Sequence, residues 1–239
     1  MTGYFKRKNK NMEKGINLAG ETLEASVAKD KLYEIIGGLA DSTLEKILDV
    51  GDAVPIFSYI AKGLKATIAV RDAVFLEKVI AFLSEIGKVP TSARQKMIEK
   101  IQQDTQYRQK FGKFSLLYLD RLNDEFKAGY LGRAAQYLSR GEITYDFYQR
   151  FAHIMDNLTE TDLLELTEKT FLNFGRNTFH SFESLGLMTI TLKIPTEAER
   201  KSASKMNPHI VQVSHRRLTD WGQWTKNILL DRPVHATDL

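Results

Sequence analysis

Apolar positions recur at helical spacing over most of the chain. Between Glu21 and Ile36 the residues Leu23, Val27, Leu32, Ile35 and Ile36 recur at approximately helical spacing, and Gly37-Gly38 stops the segment. Ser42, with Glu45 three residues on, has the form of a capping box opening STLEKILDV, and Gly51 ends that segment. Pro55 suits the first turn of the next helix, where its missing N–H is not needed; the pattern carries this helix to about Ile86, before Gly87 and Pro90. Thr91 or Ser92 opens SARQKMIEKIQQDTQYRQKF, and Gly112 is expected to break it. FSLLYLDRLNDEFKAGYLGRAAQYLSR follows as far as Gly141, and ITYDFYQRFAHIMDNL then starts with Thr144 as its cap. TETDLLELTEKTFLNF comes next, with Thr159 three residues ahead of Asp162. No proline occurs between Pro90 and Pro195, so nothing in that stretch forces a helix to stop.

The pattern changes after Gly186. MTITLKI alternates, IPTEAERKSASKMNP is polar and bounded by Pro195 and Pro208, and HIVQVSH alternates again, which together predict an antiparallel hairpin with a long connection. A last helix is expected from Thr219, its cap, to Leu230. The fold class is therefore mainly α: a helical bundle followed by a winged-helix-like α+β C-terminal module with one β-hairpin. The expected boundaries are a basic flexible N-terminus over 1–20, the bundle over 21–158, the module over 159–231 and a tail over 232–239.

Two resemblances enter on particular residues. Leu185-Gly186-Leu187, the alternating run after it, and Leu218-Thr219-Asp220-Trp221-Gly222 resemble the ending of many bacterial winged-helix proteins, in which Leu-Thr-x-x-Gly starts the final helix. The segments AVPIFSYIAKGLKATIAVRDAVFLEKVIAFLSEIGKVP and LLYLDRLNDEFKAGYLGRAAQYLSRGEITYDFYQRFAHIMD are similar to a group of largely uncharacterised bacterial helical proteins, some of which occur among antiphage-defence genes. This likeness spans roughly residues 45–230 and implies an accessory or defence role without a reaction signature.

Composition narrows the chemistry. The 239 residues are 43% hydrophobic and 27% charged, enough apolar content for a packed core and too little charge imbalance for a disordered chain. Cysteine is absent, which excludes disulfides, thiolate metal sites and a cysteine nucleophile. The net charge of +4 is located at the ends: residues 1–14 hold five Lys/Arg against Glu13 alone, whereas 15–175 are slightly acidic. The start MTGYFKRKNKNMEK leads into no apolar run of signal-peptide length, and the longest apolar stretch, Ala53–Val70, is interrupted by Lys62 and Lys65, so a cytoplasmic location is expected.

Motifs for phosphate loops, dinucleotide folds, zinc proteases, serine hydrolases and EF-hands are all missing from the sequence. The five histidines are scattered. His209 and His215 fall about 20 Å apart along one strand, too far for a shared metal. His153 with Asp156 shares a helix face but is expected to be a satisfied or solvent-facing histidine. Asp120 with Asp124, Asp162 with Glu165, and Glu165 with Glu168 are one-turn carboxylate pairs common to helices. Arg121 with Glu125, and Glu77 with Lys78 and Lys96, read as surface ion pairs. No cofactor or metal is implied, and the chain is expected to be non-enzymatic.

Two surfaces remain as candidates. Over 55–83, Ser58, Lys62, Lys65 and Asp72 form a narrow polar stripe and the rest is apolar, as in a central bundle helix or an interfacial one. Phe57, Ile60, Lys62, Leu64, Lys65 and Ile68 are its candidate contacts with a partner protein or an anionic membrane surface. At the C-terminal end, Arg176 and Asn177 on the helix before the wing, Arg200, Lys201 and Lys205 in the wing loop, and Arg216 and Arg217 after the second strand are candidate DNA contacts. Phe174, Phe179 and Phe182 argue instead for core or protein contact there. The leading expectation is an accessory or antiphage-defence-type protein acting by binding. A DNA-binding transcriptional regulator is the alternative.

Overall fold

A computed structural model describes residues 2–39, 47, 53–63, 70–168, 176–193 and 212–234. Among these the chain is mainly helical, with eleven helices and one two-stranded antiparallel hairpin. It divides into two compact units, Met1–Asn157 with Val234–Leu239, and Leu158–Pro233.

The first unit contains α1 (Thr2–Val27), α2 (Leu32–Gly37), α3 (Pro55–Gly63), α4 (Val70–Ile86), α5 (Thr91–Gln103), α6 (Phe111–Arg121), α7 (Glu125–Arg140) and α8 (Tyr145–Asn157). Helix α7 lies along α4, and α1 crosses α6 and α3. The contact of α4 with α7 is close because position 132 is glycine: a β-carbon there would stand 2.4 Å from the Phe82 carbonyl oxygen. Ala128, Leu131, Ala134, Ala135 and Leu138 of α7 are buried, small residues alternating with large. Rings fill the centre. Phe111 sits 6.3 Å from Phe82 and 5.6 Å from Tyr148, and Tyr148 lies 5.9 Å from Phe114 and 6.0 Å from Tyr145.

Several boundaries differ from those the periodicity suggests. Helix α1 begins at Thr2, not Glu21, and residues 2–20 are helical rather than a loose basic end. It is tied down locally: Gly20 meets Lys113, and the Tyr59 hydroxyl donates to the Gly15 carbonyl at 3.1 Å. Gly112 lies inside α6 instead of breaking a helix, because α1 approaches too closely for any side chain at that position. The break falls earlier, over Asp104–Lys110, where the Lys110 ammonium donates to the carbonyls of Ile101 and Asp104. The long segment 114–140 is two helices, since the Asp124 carboxylate accepts from the Lys127 amide and starts α7. Helices α3 and α4 have their own bounds within 55–86; positions 64–69, like the capping box at Ser42, lie outside the described residues. Gly141 ends α7 in the left-handed conformation (φ 75°), as its place after Arg140 suggests. Thr144 accepts from the Phe147 amide at 3.2 Å, as expected of a cap.

The second unit contains α9 (Glu160–Glu168), α10 (Arg176–Ser184), β1 (Met188–Lys193), β2 (Gln212–Leu218) and α11 (Asp220–Leu229). Thr159 and Asp162 form the expected capping box: each accepts from the other's backbone amide, at 3.0 and 3.1 Å. β1 pairs with β2 from Met188 opposite Leu218 to Lys193 opposite Gln212, with an irregularity between Thr191 and Leu192. Phe179, Phe182, Leu187, Met188, Ile228 and Leu229 are buried.

Candidate functional site

The hairpin end is organised by Thr219. Its amide donates to the Leu187 carbonyl at 3.0 Å, its hydroxyl donates to the Gly186 carbonyl at 2.6 Å, and the same oxygen accepts from the Gly222 amide at 3.1 Å. The strand therefore continues to the edge of α11, and Arg216 and Arg217 lie within β2, opposite Ile190 and Thr189, rather than after it. Arg217 is exposed. Arg176 and Asn177 open α10. Arg200, Lys201 and Lys205 lie outside the described residues, as do Phe174, His209 and His235. The aromatic residues of α10 turn inward, with Phe182 fully buried and Phe179 nearly so, while His180 is exposed, 3.8 Å from Glu183. Trp221 and Trp224 meet edge to face at 5.9 Å.

On the apolar segment, Phe57, a surface-contact candidate from sequence, is fully buried with Ile56. Helix α1 covers it: the Ser26 hydroxyl accepts from the Ile56 amide at 2.9 Å. Ile60 is half-buried and Lys62 exposed. Leu64, Lys65 and Ile68 lie outside the described residues.

The buried polar groups of the first unit hold backbone. Lys78, expected in a surface ion pair, is buried and donates to the carbonyls of Leu122 at 2.8 Å and Asp120 at 3.3 Å, satisfying the end of α6; burial pulls its pKa below the ordinary lysine value. The fully buried Arg94 donates to the carbonyls of Val89 and Val27, and burial lowers its pKa as well. Glu24 accepts from the Gly112 amide at 2.8 Å and from Gln102 at 2.7 Å. The Tyr148 hydroxyl shares a 2.8 Å hydrogen bond with Ser115, and burial pushes the Tyr145 and Tyr148 phenols up. The carboxylate pairs seen in sequence are likewise used separately. Asp120 meets Arg71 at 3.3 Å, Asp124 caps α7, and Asp156 pairs with Arg121 rather than with His153, whose exposed ring lies 3.3 Å from Asn157. Among the described residues, no three His, Asp or Glu side chains converge as a metal site would require.

One feature escapes sequence reasoning. A cleft of about 590 Å³ opens in the first unit between α5, α7 and the start of α8. Met97, Ile101, Leu138 and Ile143 form its floor, all buried. Tyr107 stands edge to face on Tyr145 at 4.7 Å along one wall, and Lys96, Lys100 and Arg140 line it as well. The i, i+4 spacing of Lys96 and Lys100 was visible, but that α5 faces the α7–α8 turn was not.

Comparison with family models, with curated proteins and with solved structures gives no match to this chain.

Proposed function

We propose that this protein acts by contact and carries out no covalent chemistry, as a bacterial, cytoplasmic accessory or antiphage-defence-type protein whose partner is another protein. The reading rests on how the buried polar side chains are spent. Glu24, Lys78, Arg94 and the Ser115–Tyr148 pair each bind backbone or one another within the packing of the first unit; of these Glu24 also lines a cleft, with Arg108, Lys110 and Lys113. The second unit is read as a winged-helix-like module, with α10 ahead of the wing, β1 and β2 as the wing and α11 after it. Lys62 on α3 and the basic residues before Lys14 extend the reading to the inner face of the membrane, where ammonium groups meet anionic headgroups. Among the described residues no helix is long and apolar enough to cross a bilayer.

A second reading, a DNA-binding regulator, is favoured by one observation: the exposed Arg217 lies on the strand next to Arg216. Each phosphate that such side chains neutralise steepens the salt dependence of binding by about one log unit per decade of salt. Fluorescence titration with generic duplex DNA at two salt concentrations separates the readings. No binding at low salt, together with flotation on anionic vesicles, supports the first. Salt-sensitive DNA binding that disappears in the Lys201→Ala/Arg216→Ala/Arg217→Ala variant overturns it in favour of the second.

A further inference from the structure

We infer that the cleft between α5, α7 and α8 is a binding site for a small organic phosphate with a flat apolar body, of the nucleoside monophosphate class. This inference is independent of the contact reading above, because it concerns the first unit alone and a small ligand.

Three observations support it. First, the size fits: about 590 Å³ lies within the range of small-ligand clefts and exceeds what a bare ion needs. Second, the charge is one-sided. Lys96 and Lys100 stand one turn apart on the same face of α5, and neither ammonium has an ion-pair or hydrogen-bond partner among the described residues. Arg140, at the end of α7, adds a third cation. It hydrogen-bonds Gln136 at 3.0 Å and lies only loosely, at 3.8 Å, against Glu142. Among the described residues Asp104 is the one carboxylate lining the cleft, and it accepts from the Gln106 amide at 2.8 Å. Third, Thr144 and Tyr145, the cap and first residue of α8, line the same cleft, so the positive end of that helix offsets the negative ends of α5 and α7, which reach the cleft at Asp104 and Gly141.

The floor accounts for the other half of the ligand. Buried Met97, Ile101 and Leu138 offer apolar contact, and Tyr107 offers an aromatic wall held by its edge-on contact with Tyr145 and by its hydroxyl, which donates to Asp146 at 3.3 Å. A phosphate held by ammonium groups and a guanidinium, with a flat ring laid on apolar side chains, uses both halves. Inorganic phosphate uses only the first, and a nucleoside only the second.

The test is calorimetric titration of the full chain with the four common nucleoside 5′-monophosphates, the matching nucleosides and inorganic phosphate. The expected result is a dissociation constant below about 1 mM for at least one nucleotide, with its nucleoside and inorganic phosphate at least about tenfold weaker. Lys96→Ala/Lys100→Ala should weaken that nucleotide at least about tenfold with unchanged melting temperature, whereas Lys29→Ala, which does not line the cleft, should leave it unaffected. Ser139→Phe, which fills the cleft without removing a charge, should also abolish binding. Failure of every nucleotide to bind, equal binding of inorganic phosphate, or binding that survives the double lysine variant overturns the inference.

Discussion

A β-carbon on Gly112 would stand 2.1 Å from the carbonyl oxygen of Gly20. Helices α1 and α6 therefore cross with backbone against backbone, and the Glu24 carboxylate closes the contact on the Gly112 amide. Gly112→Ala must push the helices apart and break that hydrogen bond, at a cost of about 3 kcal/mol or more. Gly129, on α7, is the internal comparison. A β-carbon there meets nothing within 4 Å, so Gly129→Ala should stabilise by about 0.5–1 kcal/mol through helix propensity. Urea midpoints of the two variants should move in opposite directions.

Lys78 supports the end of α6 from inside the unit. Lys78→Met keeps an apolar stem of similar length but removes the ammonium that lies over the Phe75 ring and leaves the Leu122 carbonyl without its donor, which should cost about 2–3 kcal/mol. Lys78→Ala, which adds a cavity, should cost more. Chemical denaturation followed by circular dichroism gives both numbers. Equal stability of Lys78→Met and wild type would show that water replaces the ammonium.

Alkaline pH should unfold the first unit through its tyrosines. Burial raises the folded-state pKa of Tyr145 and Tyr148 above their unfolded value of 10.0. Below pH 10 both states keep the protons and the tyrosines contribute their full stability. Above it the unfolded chain ionises first, and each tyrosine removes up to about 1.4 kcal/mol per pH unit. Lys78 acts with the opposite sign over a lower window: its folded pKa is depressed, so stability rises with pH until its unfolded value of 10.5 is reached. Melting temperature should thus hold or rise towards pH 10 and then fall. Tyr148→Phe should show a shallower fall, measured as melting temperature against pH from 8 to 11.

Local signals in the chain were legible where one residue decides the geometry. Thr144, Thr159 with Asp162, Gly141 and Thr219 each sit where a cap or stop was expected, because capping depends on a side chain and an amide three residues away. Gly112 misled because glycine serves two purposes, helix termination and close approach, and only the position of Gly20, 92 residues earlier, tells which applies. Lys78 misled for the same reason: nothing adjacent in sequence shows that the end of α6 arrives beside it. The second strand runs on past His215, where the alternation of HIVQVSH ends, because the ladder is set by Thr219 and Leu187 and carries HRRL as strand; residues 209–211 lie outside the described residues. The cleft is assembled from residues 96–145 through three helices, a juxtaposition that no spacing rule encodes.

The junction of hairpin and last helix depends on Gly222 as α1 and α6 depend on Gly112. A β-carbon there would lie 2.1 Å from the Leu187 carbonyl, the same oxygen that accepts from the Thr219 amide. Gly222→Ala should therefore lift α11 off the start of β1, cost about 3 kcal/mol, and release Thr219 from Gly186. Thr219→Val, which removes the cap oxygen but keeps the shape, should cost about 1–2 kcal/mol. Hydrogen exchange read by mass spectrometry separates local from global effects: the peptides of α10, β1, β2 and α11 should lose protection in Gly222→Ala while those of α7 and α8 keep it, since each unit has its own buried apolar side chains. Loss of protection throughout the chain would mean that the two units unfold as one.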